Sequence, residues 1–326
     1  RRAQAIACAT AMNCLQELLM KLAVPDLVSP SYFPVVAAVE LGFFKAEGLD
    51  VALELIFPID AAYRALRDGA VDFVGGSAHA ALSVFPEWNG VKLLCAQAQG
   101  MYWFLVMHAD LRAARGDLQV VKGRRIGASP WVDMGLRALL EDAGINVQSD
   151  HVEIAPVPRP PGRTVNFGVT AARRLEERVI DGFWANGMGA EIAERGGFGT
   201  VVIDVRRDGP RSAFDYTFGA LAATDTLIAH APETAAAAVR AVVAAQRALA
   251  EQPARAIAVG RTLFPPEEAE LITELVRRDA PYYDATIRPA TVAAMNRFAR
   301  RMGVLPRDVP FEAVVATELA PLWAVA

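Results

Sequence analysis

Aromatic, hydroxyl and amide side chains recur in this sequence at turns that join a predicted strand to a predicted helix. Such turns supply the candidate binding residues Ser31, Tyr32, Phe33, Gly76, Ser77, His79, Ser129, Trp131, Trp184 and Asn186. Two further candidates, Gln99 and Trp103, follow the strand predicted at 91–98. Backbone N–H groups at the start of a helix are free to bind a polar or anionic group. Aromatic faces suit a planar ring, because stacking adds about 0.5–1.5 kcal/mol beyond burial. These residue types indicate non-covalent binding of a small molecule. The alternative is that Phe33, Trp103, Trp131 and Trp184 fill the core.

Catalytic and metal-binding motifs are missing from the sequence. GGSAHA at 75–80 lacks the second glycine of a nucleophile elbow, and GMGAEI at 187–192 lacks the third glycine of a dinucleotide fingerprint. There is no phosphate-binding P-loop, and Cys8, Cys14 and Cys95 do not have the spacing of metal ligands. We therefore predict a non-enzymatic protein without cofactor or metal. An enzyme interpretation would need His79 to act as an acid or base.

The candidate turns contain no lysine or arginine. A strongly acidic ligand would therefore depend on helix dipoles and hydroxyl groups alone. The sequence favours a ligand that is neutral, weakly anionic or aromatic. Arg137 or Arg173 would reach the site only by folding back toward it.

The stretch 29–55 shows how these turns are positioned. A short strand at 22–27 precedes the polar turn, a helix is predicted from Pro34 to Phe44, and a second strand follows at 50–56. This order places the turn at the carboxyl edge of a sheet, where ligands of α/β proteins bind. Short strands alternate with helices up to about residue 205; the predicted helices include 78–85 and 171–178, and a proline-rich loop is predicted at 156–162. The chain from Pro232 onward is Ala-rich with helical periodicity.

An internal similarity indicates two related lobes. The segment LRDGAVDF at 66–73 resembles LEERVIDGF at 175–183, with one extra residue in the second copy. EGLDV at 47–51 likewise resembles DAGINV at 142–147. Each copy contains the end of a helix and the start of a strand, so both lobes are predicted to present turns to one cleft.

Composition limits the class of protein. The chain has 326 residues, of which 53% are hydrophobic, and a formal net charge of −4. This length allows two domains, and the apolar fraction supports a large core. The absence of basic clusters makes nucleic acid an unlikely partner, and no apolar run is long enough to span a membrane. Residues 1–19 form an extension of uncertain role, which matches a secretory signal poorly.

The run SPSYFPVVAAVELGFFKAEGLDVAL resembles the opening of solute-binding proteins of ABC importers. The branch includes binders of sulfonates, nitrate, taurine and pyrimidine precursors of thiamine. Further matching segments are ALRDGAVDFVGGS, KGRRIGASPWVDMGLRALLEDAGI, RLEERVIDGFWANGMGAEIAERGG and ATDTLIAHAPETAAAAVRAVVAAQRAL. Together they cover about residues 20–300.

This resemblance implies an α/β, two-lobed fold of the periplasmic-binding-protein type (type II), with a ligand cleft between the lobes. Lobe 1 would comprise 20–105 and 214–326, and lobe 2 would comprise 106–213. The implied protein is a periplasmic monomer that delivers a small organic molecule to ABC permease subunits at the membrane. A cytoplasmic location stays open because no clear signal peptide is present. The alternatives are an enzyme on the same fold, similar to thiamine-pyrimidine synthases or menaquinone-pathway enzymes, and a soluble sensor partner.

Overall fold

The computed structural model describes residues 19–158 and 166–324. Residues 1–18 of the predicted N-terminal extension, with Cys8 and Cys14, lie outside the described residues, as does most of the proline-rich loop that the sequence places at 156–162. The described residues form ten strands: β1 (Met20–Val24), β2 (Val51–Leu55), β3 (Phe73–Ser77), β4 (Val91–Ala98), β5 (Phe104–His108), β6 (Arg125–Ala128), β7 (Glu153–Ala155), β8 (Gly182–Ala185), β9 (Gly199–Asp204) and β10 (Gly219–Thr224).

Helices connect and cover these strands. The α-helices of the described chain are α1 (Phe33–Glu40), α2 (Phe43–Ala46), α3 (Ile59–Arg67), α4 (Asp133–Asp142), α5 (Phe167–Glu176), α6 (Gly187–Arg195), α7 (Val205–Asp208), α8 (Arg211–Asp215), α9 (Asp225–His230), α10 (Pro232–Glu251), α11 (Arg255–Leu263), α12 (Pro266–Asp279), α13 (Pro289–Arg301) and α14 (Phe311–Val314). Short 3₁₀ helices occur at Ala78–Ser83, Pro86–Trp88, Ala109–Leu111, Leu118–Val121, Ala280–Tyr282 and Thr317–Leu322.

The strands form two five-stranded sheets of the same design. The first has the order β2-β1-β3-β10-β4, and the second has the order β7-β6-β8-β5-β9. In each sheet the first three strands in order pair in parallel. The fourth strand in order pairs antiparallel with both of its neighbours, so the fifth runs in the same direction as the first three. That inserted strand, β10 or β5, is the first strand after the chain crosses from the other lobe. The architecture is the predicted two-lobed α/β fold.

The lobe boundaries differ slightly from those that the sequence predicts. The predicted first crossing lies between 105 and 106, but β5 begins at Phe104 and pairs only with strands of the second sheet. The crossing therefore falls at 99–103. The second predicted boundary, at 213/214, lies between β9, which ends at Asp204, and β10, which begins at Gly219.

Two predicted helices take a different form. The helix predicted from Pro34 to Phe44 is broken into α1 and α2, because Gly42 has a φ of +77°, which a helix cannot contain. The helix predicted for Ala78–Phe85 is a 3₁₀ helix that ends at Ser83.

Strand β10 was not predicted. Its sequence, GALAAT, has low strand propensity, and the strand forms because it is inserted between β3 and β4 in the buried sheet.

The Ala-rich C-terminal region completes lobe 1. Helix α10 buries one face that consists mainly of alanine and valine and packs against α1 and β4. Small side chains permit a close approach of the helix to the sheet, and this burial supplies apolar stabilisation of about 25 cal/mol per Å². Lobe 1 thereby becomes the larger lobe, and α12 extends from it to contact α6 of lobe 2.

Candidate functional site

A buried cavity lies between the lobes, where turns at the carboxyl ends of strands in both sheets meet. Its described lining residues are Pro25, Asp26, Ser29, Tyr32, Phe57, Ile59, Trp103, Ser129, Val132, Phe167 and Asn186. They follow β1, β2, β6 and β8, precede β5 or begin α5. The cavity measures about 20 Å³, which is enough for about one water molecule. A larger ligand therefore requires the lobes to separate.

Asp26 is the charged group of this cavity. Its carboxylate accepts hydrogen bonds from the backbone N–H groups of Val28 (2.8 Å) and Ser29 (3.0 Å) and from the side-chain amide of Asn186 (2.9 Å). Burial raises the pKa of Asp26 from 3.8 to about 7, although backbone N–H groups of Val28, Ser29 and Phe167 oppose that shift. The nearby charge of Glu268 adds to the increase. Asp26 therefore titrates near neutral pH.

Asn186 links the two lobes because it has two sets of partners. Its Oδ1 accepts from the backbone N–H groups of Met188 (3.1 Å) and Gly189 (3.4 Å), so it caps α6. Its Nδ2 donates to Asp26 of lobe 1. Gly168 permits this arrangement, since a Cβ at that position would lie 2.4 Å from Asn186 Oδ1.

Further contacts across the cleft surround this hydrogen bond. The backbone N–H of Leu27 donates to Asn166 Oδ1 over 3.0 Å. The rings of Phe57 and Phe167 are stacked, with centroids 5.7 Å apart and an interplanar angle of 12°. Both rings line the cavity, so the cleft brings an aromatic pair and a carboxylate into one site.

His79 forms a second link between the lobes. Its Nε2 lies 3.0 Å from the carbonyl oxygen of Trp131, and its Nδ1 lies 2.9 Å from Thr217 Oγ1. The carbonyl can only accept, so Nε2 carries the proton and Nδ1 accepts from the threonine hydroxyl. Tyr216 and Phe298 contact the imidazole edge to face. Burial lowers the pKa of His79 to about 4, so the ring is neutral.

Trp131 has a backbone conformation that serves this contact. Its φ is +69°, in the left-handed region that non-glycine residues rarely adopt. The strained residue directs its carbonyl toward His79, and the two rings are 6.1 Å apart. Strain of this kind is retained where the surrounding structure requires one geometry, which here is the contact between lobes.

A buried ion pair also joins the lobes. Arg206, which lies on α7, pairs with Asp279 at the end of α12, and both side chains are almost completely buried. The guanidinium carbon lies 4.5 Å from the ring centroid of Tyr102 and 3.8 Å from that of Tyr282. Burial raises the pKa of Asp279, whereas the Arg206 charge opposes that shift. Each buried charge is therefore compensated by the other, and aromatic faces flank the guanidinium.

Four of the sequence-predicted binding residues line the cavity: Tyr32, Trp103, Ser129 and Asn186. The remaining eight do not line it: Ser31, Phe33, Gly76, Ser77, His79, Gln99, Trp131 and Trp184. Phe33 and Trp184 are completely buried in the cores of lobe 1 and lobe 2. Gly76 supports the wall, since a Cβ there would lie 2.3 Å from Ile59 Cδ1.

Gln99 has a structural role at the crossing between lobes. Its side-chain amide donates to the carbonyls of Asp284 (2.8 Å) and Thr286 (2.9 Å), and its oxygen accepts from Arg288 over 2.8 Å. These bonds attach the crossing segment to the C-terminal region. The side chain is therefore fully used away from the cavity.

Ser31 Oγ and Trp184 Nε1 are buried polar atoms without a hydrogen-bond partner among the described residues. Neither residue lines the cavity. The Trp103 indole does line it. Burial raises the pKa of Tyr216, and a hydrogen bond from Trp103 opposes that shift, so the indole N–H already has a partner and Trp103 offers the cavity its aromatic ring.

Sequence reasoning missed Asp26, Phe57 and Phe167. Pro25-Asp26 directly follows β1, and Phe57 follows β2, so both occupy the kind of turn that predicted the other candidates. Assigning the first strand to 22–27 instead of Met20–Val24 placed Asp26 inside a strand and concealed it. Phe167 begins a helix that was predicted to start at Ala171.

The family assignment follows from a comparison with family models. Residues 29–256, more than half of the chain, match the model of the family described as NMT1/THI5 like. The chain belongs to this family, and the predicted family resemblance is confirmed. A search among curated proteins found no significant match.

Solved structures of similar architecture include two binding proteins and an enzyme. The ligand-binding component of an ABC-type import system from Staphylococcus aureus, with zinc bound, has a TM-score of 0.69 at 13% identity, covering 94% of this chain and 99% of that chain. The alkanesulfonate-binding protein SsuA from Xanthomonas axonopodis pv. citri, bound to MOPS, has a TM-score of 0.68 at 12% identity (91% and 97% covered). A mutant of the desulfurization enzyme DszB with biphenyl-2-sulfinic acid has a TM-score of 0.65 at 16% identity (93% and 98% covered).

These likenesses confirm the predicted periplasmic-binding-protein-like fold. Within 19–158 and 166–324, the structure contains no cluster of side chains suited to hold a metal ion. Over the same residues, no helix has the length and apolarity needed to cross a bilayer.

Proposed function

We propose that this protein is the solute-binding component of an ABC importer and binds a small organic molecule in the cleft between its lobes. One observation supports this most strongly: residues from both lobes, including Asp26 and Asn186, meet in a single buried cavity. A ligand held by both sides of such a cleft favours the closed arrangement of the lobes. The family match and the ABC import component of the same fold support this function.

The proposed binding residues come from both lobes: Asp26, Tyr32, Phe57, Trp103, Ser129, Phe167 and Asn186. The aromatic rings would hold a planar group, while the Ser129 hydroxyl would bind a polar atom of the ligand. Release would need the lobes to open, which breaks the Asp26–Asn186 and His79–Trp131 contacts. The proposed working form is a monomer in the periplasm that meets permease subunits at the membrane.

Native mass spectrometry of the purified protein, before and after denaturation, tests this function. We expect a non-covalently held small molecule that is released unchanged and that rebinds to the emptied protein. Small-angle scattering should then show a smaller radius of gyration on rebinding. Phe57→Ala should weaken rebinding, whereas Phe311→Ala, at a half-buried ring in α14, should not.

The enzyme alternative predicts a different result. DszB shows that this fold also supports catalysis, so turnover of the released molecule by the protein would contradict the carrier proposal. A covalent adduct on the protein would contradict it as well. Loss of such turnover in His79→Ala, with affinity retained, would favour the enzyme alternative.

A further inference from the structure

The polarity of the cleft points to a particular class of ligand. Asp26 is the only carboxylate among the described residues that line the cavity, and these residues include no lysine or arginine. Asp26 is buried, with an exposed fraction of 6%. Buried carboxylates are found where a partner of opposite charge or several donors compensate them.

The carboxylate of Asp26 is oriented by its own loop. Oδ1 accepts both backbone hydrogen bonds, from Val28 at 2.8 Å and Ser29 at 3.0 Å. Oδ2 accepts from Asn186 of the other lobe at 2.9 Å. When the lobes separate, the bonds to Oδ1 remain because they lie within lobe 1, whereas Oδ2 loses Asn186. Oδ2 then faces the open cleft as an oriented acceptor.

Aromatic side chains line the same cavity. Tyr32, Trp103 and the stacked rings of Phe57 and Phe167 come from both lobes. The face of an aromatic ring attracts a cation, and sites that combine such faces recognise organic ammonium groups. A carboxylate beside these rings strengthens the same preference and disfavours an anion.

A second buried acidic group, Glu268, lies near Asp26. Glu268, at the start of α12, is 4% exposed and lies near enough to Asp26 for its charge to raise the Asp26 pKa. Burial itself raises that pKa to about 7, which means that the ionised carboxylate lacks adequate compensation in the closed cleft. A bound cation would provide that compensation.

We propose that the cleft selects a ring-bearing organic cation, whose ammonium or amidinium nitrogen donates to Asp26 Oδ2 in place of Asn186 while its ring lies against Tyr32, Phe57, Trp103 and Phe167. This inference rests on the proposed binding function. The preferred ligand charge is positive, opposite to that of a sulfonate. Asp26 thus acts as the specificity-determining residue of the site.

Matched sets of probes test this inference by thermal shift and isothermal titration. Each set keeps one ring and changes one substituent: benzylammonium, benzyl alcohol and benzenesulfonate, with equivalent sets on pyridine, pyrimidine and indole rings. The proteins are the wild type, Asp26→Asn and the control Asp68→Asn, which removes an exposed carboxylate paired with Arg67. Urea unfolding confirms that each variant is folded before titration.

We expect the cationic members to bind the wild type at least tenfold more tightly than their neutral or anionic counterparts. Asp26→Asn should abolish that preference, and Asp68→Asn should retain it. Preferential binding of sulfonates or neutral members would overturn the charge assignment while leaving the carrier proposal intact. Failure of every cationic member to bind would also overturn it. If Asp26→Asn does not fold, Asn186→Ala serves instead. It removes the donor that competes for Oδ2, so it should bind the cationic members several-fold more tightly than the wild type does, and unchanged or weaker cation binding would overturn the inference.

Discussion

Asn186 and Asp26 are 160 residues apart in the chain, yet the amide of one donates to the carboxylate of the other over 2.9 Å. Asp26 follows β1, the second strand in the order of the first sheet, and Asn186 follows β8, the third strand in the order of the second sheet, and caps α6. The hydrogen bond therefore connects corresponding edges of the two sheets. One end of this link between the lobes is a titratable group, the Asp26 carboxylate.

The first prediction concerns the pH dependence of stability at Asp26. The folded-state pKa is about 7 and the ordinary value is 3.8, so the folded protein holds a proton that the unfolded chain releases. This contribution to stability is fully present below pH 3.8 and is lost as pH rises through about 7. Its upper limit is of the order of 4 kcal/mol. In urea unfolding between pH 5 and 8, the free energy of unfolding of the wild type should fall with rising pH, and Asp26→Asn should lack this decrease.

Other titrating groups define the controls for that measurement. Glu268 and Tyr32 interact electrostatically with Asp26, and the difference between wild type and Asp26→Asn removes contributions that both proteins share. Asp68→Asn should follow the wild-type curve. An identical pH dependence in wild type and Asp26→Asn would show that Asp26 does not titrate in this range.

His79 is predicted to give stability the opposite pH dependence to that of Asp26. Its pKa is lowered from 6.5 to about 4 by burial, so its contribution to stability is present above pH 6.5 and is lost as pH falls through 4. His79→Ala leaves the Trp131 carbonyl and the Thr217 hydroxyl without this partner, at a cost of about 1–3 kcal/mol. Urea unfolding at pH 7 measures the loss. The exposed His230→Ala should leave stability unchanged, and equal effects of the two variants would contradict the role of His79.

Removing one partner of the Arg206–Asp279 pair is predicted to destabilise the protein more than replacing both. Asp279→Ala leaves a buried guanidinium uncompensated, which should destabilise the protein by about 3–5 kcal/mol. The double variant Arg206→Met/Asp279→Leu should recover most of that loss because no charge remains buried. Chemical denaturation compares both with Glu251→Ala, which breaks an exposed pair with Arg247 and should cost less than about 1 kcal/mol. A double variant as unstable as the single one would refute this account.

Substitution of two tryptophans is predicted to affect different properties, stability for Trp184 and ligand affinity for Trp103. Trp184 is completely buried in the core of lobe 2, so Trp184→Ala should reduce stability by about 3–5 kcal/mol. Trp103 lines the cleft, so Trp103→Ala should weaken binding of the molecule recovered by native mass spectrometry by more than about 1 kcal/mol. Thermal melting and titration of both variants separate the two effects. A weakened affinity in folded Trp184→Ala, as its position at a strand end first suggested, would return Trp184 to the binding site.

Much of the architecture could be predicted from local signals. The alternation of short strands and helices up to about 205, the helical C-terminal region and the similarity of 66–73 to 175–183 all indicate two related α/β lobes. The strand β4 has its predicted bounds, Val91–Ala98. Apolar runs and Gly-containing turns are properties of neighbouring residues, and they survive in the folded protein because buried parallel strands require them.

Long-range packing decided the rest. GALAAT becomes strand β10 only because β3 and β4 leave a gap between them, and no local preference of alanine indicates that position. Trp103 and Trp184 have the same side chain and both lie near strand ends, yet one lines the cleft and the other fills a core. Which face a residue presents depends on the register and twist of its sheet and on the opposite lobe.

The sequence by itself determined the fold class, the family and the general place of the site at the carboxyl edges of two sheets. Those properties follow from the order of elements and from turn composition along the chain. Only the tertiary structure selected Asp26, Phe57 and Phe167 as partners of Asn186 in one cavity. Charge compensation and ring stacking require atoms a few ångströms apart, and for residues far apart in sequence that proximity exists only after both lobes have folded and closed.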